Sequence, residues 1–177
     1  RFIMVDLKKK LSSVTLPPEL KEQALAMIEH PSEYGRVAYF IDWITSLPWD
    51  KRSEDILDLD YAKKILDKNH YGLKAIKERV LEFLAVLSLK KTKEGQQEST
   101  RAPILCFVGL VGTGKTTIAS SIAEAMGRKF GRVPFGGLGD PLELRGQSRI
   151  RADAEPGLII KALRRVGTKN PVILLDE

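Results

Sequence analysis

Apolar residues recur at intervals of three and four through roughly the first ninety positions, and the interruptions carry helix punctuation, so this stretch is predicted to be helical. Pro17-Pro18 opens a helix with Leu20, Ala24, Leu25, Met27 and Ile28 on its inner face; His30-Pro31 closes it, with His30 as a surface cap. Ser32 caps a second helix that buries Tyr34, Val37, Ala38, Ile41 and Ile44. That helix stops at Leu47-Pro48, because the residue before a proline is pushed out of helical geometry, and Trp49 begins an irregular stretch. Asp58 is a suitable N-cap for a short helix through Leu66, and Asn69-His70-Tyr71-Gly72 makes a tight turn. Leu73, Ile76, Lys77, Val80, Leu81, Leu84 and Leu87 then form one stripe on a long amphipathic helix. Residues 92–103 turn polar and close on Pro103, which predicts a linker or surface loop.

From Ile104 the pattern changes to alternating strand and helix, the signature of a parallel sheet with helices on its faces. Ile104 to Val108 is a continuous apolar run and predicts a buried strand, in which Cys106 is a small core residue. A helix follows from Lys115 to Met126 with Ile118, Ile122, Ala125 and Met126 inward and Gly127 at its stop. Arg132 to Phe135 is a weaker strand, Gly157 to Arg165 a helix, and Val172 to Leu175 an apolar strand ending in Asp176-Glu177. Three units result: a helical segment over 1–91, a linker or surface loop over 92–103 and an alternating strand–helix core over 104–177.

Composition narrows the class. A hydrophobic content of 43% excludes disorder, and the longest apolar run, Leu81 to Leu89, is broken by Glu82 and Ser88, so no membrane insertion is expected. Cys106 is the only cysteine, which excludes an internal disulfide and a cysteine zinc site and fits a reducing compartment. The chain opens Arg1-Phe2-Ile3 without an initiator Met or a leader, so it reads as an excerpt of a longer protein. The net charge of +6 is uneven: residues 1–100 carry 17 basic and 16 acidic groups, residues 101–177 carry 12 and 7. A solvated surface accounts for that excess as well as a polyanionic partner does.

The chemistry lies in Gly109-Leu110-Val111-Gly112-Thr113-Gly114-Lys115-Thr116, a glycine followed after four residues by Gly-Lys-Thr. Glycines let the backbone curl so that successive N–H groups face phosphates, and the helix that follows aims its positive end at them. Lys115 neutralises the outer phosphates, the Thr116 hydroxyl is a hard oxygen ligand for Mg²⁺, and Thr117 completes the phosphate-binding set. Asp176, at the tip of an apolar strand buried on both faces, would hold Mg²⁺ as well, through water or directly. Glu177 and Lys115 are the catalytic residues, Glu177 orienting and deprotonating the attacking water.

Four stretches carry a family resemblance. They are Tyr39-Phe40-Ile41-Asp42-Trp43-Ile44-Thr45-Ser46-Leu47-Pro48-Trp49, His70-Tyr71-Gly72-Leu73 with Lys77 to Val86, Pro103 to Gly109 entering the loop, and Asn170-Pro171 before Val172. Together with the phosphate loop they resemble the Lon proteases of the AAA+ ATPase superfamily over nearly the whole chain. The resemblance implies an α+α/β architecture: an N-terminal helical segment followed by the first part of an AAA+ P-loop αβα sandwich, its parallel sheet truncated. A strand from beyond Glu177 would then lie between the strand at Ile104–Val108 and the one bearing Asp176. It also implies a homo-oligomer, a hexameric ring that hydrolyses ATP with Mg²⁺ to unfold damaged proteins and thread them into a serine-lysine protease chamber. In that family the residues around His70, Tyr71, Gly72 and Ile76 border the adenine pocket; the plainer alternative for Tyr71 is a turn aromatic packed on a helix.

Two departures stand out. Leu110-Val111 replaces the family's Pro-Pro, which predicts a more flexible loop and weaker affinity. After Gly146 the family's His-Arg-Arg-Thr-Tyr-Val is replaced by Gln147-Ser148-Arg149-Ile150-Arg151-Ala152, so Arg151 stands where an aromatic would grip the translocating chain. That change motivates an alternative, a non-hydrolysing AAA+ scaffold. Arg145, Arg149, Arg151, Arg164 and Arg165 motivate a nucleic-acid-binding AAA+ ATPase, but no aromatic stacking platform is interleaved with them, and they read mainly as phosphate or intersubunit contacts. Trp43 and Trp49 read as packing at the helical junction. Val166 to Val172 with Leu174-Leu175 resembles peroxisomal more than mitochondrial Lon enzymes, which implies an organelle matrix, the peroxisome ahead of the mitochondrial matrix.

Overall fold

A computed structural model describes residues 2–29, 34–93, 104–148 and 154–176. Three helices come first: α1 (Phe2–Ser12), α2 (Pro18–Glu29) and α3 (Tyr34–Ser46). Their apolar stripes meet in one cluster of Leu11, Leu16, Ala24, Ile28, Val37, Ile41 and Ile44, with Leu20, Leu25, Met27 and Trp49 packed around it. Trp49 is fastened there by donating its Nε1 hydrogen to the Ile44 carbonyl at 2.6 Å. Tyr34, expected inside, is exposed, because it opens α3 a full turn before the first buried position at Val37. The expected cap Ser32 and closing pair His30-Pro31 lie outside the described residues.

The second cluster joins the chain's two halves. Helix α4 (Leu59–Asn69) begins at Asp58, whose side chain accepts from the backbone of Asp60 and Tyr61, as its residue type predicts. It packs against α5 (Lys74–Lys93) and α6 (Lys115–Ala125), so that Ala62, Ile65, Leu66, Val80 and Leu84 share a core with Ile118, Ile122, Ala125 and Met126. The stripe predicted on α5 is buried only in its middle: Leu73 and Ile76, in the first turn and just before it, are exposed. Helix α5 reaches Lys93, two residues into the polar stretch.

Beyond α6, strand β1 (Phe130–Pro134) pairs in parallel with β2 (Val172–Asp176), Phe130 opposite Val172 and Pro134 opposite Asp176. Between them run α7 (Pro141–Arg145) and α8 (Leu158–Val166). Helix α8 lies close on β1; a Cβ at Gly131 would come within 3.0 Å of Val166. The bipartite helix-then-α/β order matches the predicted class, with a two-stranded parallel sheet among the described residues.

The expected strand at Ile104–Val108 does not form. No strand of the described residues lies alongside it, and a ladder needs a neighbour. Leu105 and Phe107 still pack on the α4–α6 cluster, while Ile104, Val108 and Cys106 are exposed on the other side, so Cys106 is not a core residue. For the same reason β2 is half-buried rather than enclosed on both faces, and Leu175 is exposed. No helix among the described residues is long and apolar enough to cross a membrane.

Hydrogen bonds bind the irregular stretch after Trp49 to the α/β part. Ile56 donates its backbone N–H to Met126 at 2.9 Å, and Lys169 donates its own to Lys51 at 2.8 Å. Asn170 exchanges two bonds with the Ser53 backbone at 2.9 Å each. Asp55 receives a two-pronged ion pair from Arg128, Nε at 2.7 Å and Nη2 at 2.9 Å. Farther out, Arg164 of α8 pairs with Asp42 at 2.7 Å and lies over the Trp43 ring, 4.3 Å from its centroid. Trp43 is thus a packing residue at the junction, and Arg164, read earlier as a phosphate or intersubunit contact, is engaged within the chain.

Candidate nucleotide-binding site

Residues 111–114 form a turn between the segment 104–110 and α6. Two glycines make it sharp enough: Gly112 has φ +80° and Gly114, the N-cap of α6, φ +91°, both in the left-handed region that side chains rarely adopt. Because Gly114 caps α6 with no side chain, the first-turn N–H groups of the helix stay clear of a competing side-chain acceptor. Their partial positive charge is therefore offered outward.

Lys115 folds back over this turn, its Nζ donating to the carbonyls of Gly109 at 2.8 Å and Leu110 at 2.9 Å. Thr113 Oγ1 donates to the Leu110 carbonyl and Thr117 Oγ1 to that of Gly114, each at 2.8 Å. Leu110 and Val111 project into solvent, as expected of side chains that give nothing to phosphate. A cavity of about 340 Å³ opens among Val111, Gly112, Gly114, Lys115, Thr116, Thr117 and Asp176.

Helix α6 and strand β2 bring Thr116 and Asp176, sixty residues apart, to the same cavity, with Thr116 Oγ1 donating to Asp176 Oδ2 at 3.4 Å. A hydroxyl and a carboxylate beside a set of outward N–H groups suit a hydrated divalent cation on a polyphosphate. Asp176 also has a partner that spacing did not reveal: Arg132 of β1 sits on the same Oδ2 through its Nε at 2.7 Å. The β1–β2 register could have shown it, since Asp176 faces Pro134 and Arg132 is two positions back on the same face. Glu177 lies outside the described residues, as do Arg149, Ile150, Arg151 and Ala152.

The residues expected around an adenine separate into two kinds. His70 is buried, its Nε2 2.9 Å from Ser121 Oγ on α6, and Asn69 Nδ2 donates to the same hydroxyl at 3.1 Å and to Glu124 at 2.9 Å. Lys77 ties the turn from the other side, donating to the His70 carbonyl at 2.7 Å and to Asp67 at 2.8 Å. That lysine hydrogen bond, working against desolvation, holds the Asp67 carboxyl below the usual carboxylate range. Tyr71, by contrast, is fully exposed, so the alternative that packs it on a helix does not hold. Gly72 and Ile76 are exposed beside it, and the turn needs left-handed backbone at both Gly72 (φ +67°) and Leu73 (φ +51°). The structure therefore fixes the His70 turn to α6 but does not bring Tyr71, Gly72 or Ile76 into the cavity under the phosphate loop.

Comparison with known proteins agrees with this layout. Residues 105–177 match the family described as ATPase family associated with various cellular activities (AAA). The chain is 47% identical to Lon protease 2 of Thermus thermophilus over 184 aligned positions, which take in 97% of this chain and 23% of that protein. It is 45% identical to Lon protease of Geobacter metallireducens (97% of this chain, 21% of that protein) and 44% identical to Lon protease of Syntrophus aciditrophicus (100% and 22%). The chain thus spans between a fifth and a quarter of the length of these curated relatives. What the fold, the loop and both likenesses support together is a segment similar to part of the Lon proteases, with a match to the AAA ATPase family from residue 105 onward.

Proposed function

We propose that the chain is the ATP-binding and ATP-hydrolysing segment of a Lon-type ATP-dependent protease, which unfolds and degrades damaged or misfolded proteins. The observation that carries this reading is the meeting of Thr116 and Asp176 at the cavity beneath the Gly109–Thr116 loop. ATP fits there by the chemistry of the donors: uncapped N–H groups at the start of α6, one lysine and no carboxylate but Asp176 among the residues lining the cavity. Lys115 exchanges the carbonyls of Gly109 and Leu110 for outer phosphate oxygens, which costs it no net hydrogen bonds. Thr116 and Asp176 would hold Mg²⁺, which when bound neutralises charge on the bridging phosphates. Glu177, next in sequence to Asp176, takes the proton of the attacking water.

Equilibrium binding of ATP to the full-length protein tests the reading. Lys115→Ala should weaken binding about 10- to 100-fold, the range of a lost charge-assisted bond or two. Undiminished binding in that variant would remove the site. On the same reading the protein assembles as a hexameric ring, takes unfolded proteins as substrates and works in an organelle matrix, the peroxisome ahead of the mitochondrion. Sedimentation of the full-length protein with ATP and imaging of a tagged copy check these in turn.

A further inference from the structure

Asp176 is held at its functional oxygen by a cation of the chain itself. Arg132 Nε lies 2.7 Å from Asp176 Oδ2, and it is this oxygen, rather than its twin, that Thr116 Oγ1 approaches at 3.4 Å. The contact follows from the sheet: Pro134 is the parallel partner of Asp176, so Arg132, two residues back, stands diagonally across the same face. Its backbone is fixed as well, because Arg165 of α8 donates from Nη2 to the Arg132 carbonyl at 2.8 Å. Arg132 therefore reaches Asp176 from a strand held on both sides, by β2 and by α8, and not as a loose surface side chain.

We propose that Arg132 is a positioning residue that competes with Mg²⁺ for Asp176 and so sets the metal concentration at which the site loads nucleotide. The inference rests on the nucleotide-site reading above. A guanidinium and a divalent cation on one carboxylate oxygen repel each other, and a guanidinium has no acceptor with which to join the metal's shell. Mg²⁺ beside Thr116 must displace the arginine or share a half-neutralised oxygen with it; either raises the concentration of metal needed. Arg132 is itself more than half exposed, so on release it returns to water at little cost, and the competition is of the modest, salt-screened kind.

The test is Mg²⁺ titration of the full-length protein with a fluorescent, non-hydrolysable ATP analogue, in parallel with binding of the same analogue in EDTA. Arg132→Gln should lower the Mg²⁺ concentration at half-saturation about two- to fivefold, with affinity in EDTA unchanged, and the difference should shrink at high salt. Arg132→Lys, which keeps the charge but not the fork, should give a smaller fall, and serves if the glutamine variant does not fold. An unchanged or raised half-saturation concentration would overturn the proposal. So would an equal change with and without metal, which would mark Arg132 as a support of the fold. If the wild-type protein itself shows no Mg²⁺-dependent binding, the nucleotide-site reading fails first, a result separable from failure of the arginine's role.

Discussion

Replacing Arg128 with alanine isolates a two-pronged ion pair between the irregular stretch after α3 and the α/β part. Arg128 follows α6 and grips Asp55 through two short bonds, and the Asp55 side chain is only 4% exposed. Removing the cation takes both short bonds from a buried carboxylate, which keeps Asn170 Nδ2 at 3.4 Å among its remaining partners. Breaking a buried ion pair from one side costs about 3–5 kcal/mol, and the 24% exposure of the Arg128 side chain places this one at the low end, about 3 kcal/mol. The reverse substitution behaves differently. Asp55→Ala strands a guanidinium that can turn to solvent, so it should cost about half as much. Urea unfolding followed by circular dichroism and by the fluorescence of Trp43 and Trp49 reads both variants. A cost below about 1 kcal/mol for Arg128→Ala, or a larger cost for Asp55→Ala than for Arg128→Ala, would refute the reasoning.

Other consequences are equally direct. Gly157 and Gly146 meet where Gly146 bridges to Pro156, and a Cβ on Gly157 would fall within 2.7 Å of the Arg145 carbonyl carbon and 2.8 Å of the Gly146 nitrogen. Gly157→Ala should destabilise by about 2 kcal/mol or more, or open the bridge, seen as faster proteolysis between residues 146 and 157. Ser121→Ala removes the hydroxyl shared by His70 and Asn69 and should cost about 1–3 kcal/mol in thermal or urea unfolding. Asp42 is held below the usual carboxylate range by its hydrogen bond to Lys10, against the opposing effect of burial and with Arg164 adding to the lowering. A depressed folded-state value means that this stabilisation is complete above an ordinary aspartate value of about 4 and is lost as pH falls through the folded one. At 41% exposure the pair is worth at most about 1 kcal/mol, so Asp42→Asn should lower stability by that much at pH 7 and by almost nothing near pH 2.

What could be read from the sequence was local. Asp58 announces α4 because a carboxylate immediately before a helix has backbone N–H groups to accept from, and Gly112 and Gly114 announce a tight turn because the backbone there needs positive φ. The inward faces of α2 and α6 followed from periodicity alone, with Ala24, Ile28, Ile118, Ile122, Ala125 and Met126 all buried. Periodicity failed where burial depends on a distant neighbour. Ile104 to Val108 reads as a core strand by composition, yet without an adjacent strand only Leu105 and Phe107 find cover. Tyr34 and Ile76 lie on the right faces of their helices but in first turns that stay exposed. Pairings across long separations, Asp55 with Arg128 and Asp42 with Arg164, left no trace in spacing because both partners are ordinary surface residues by type. Arg132 on Asp176 was within reach, but only once the register of the two strands was known.

ATP hydrolysis by the full-length protein, with and without an unfolded substrate such as casein, is the most direct test of the account, with Glu177→Gln as its control. The account predicts hydrolysis that rises with substrate and disappears in the variant while ATP binding is retained, because the proposed role of Glu177 is toward water and that of Gly109 to Thr117 toward phosphate. Hydrolysis that survives in Glu177→Gln, or ATP bound by the wild-type protein without hydrolysis, would contradict it.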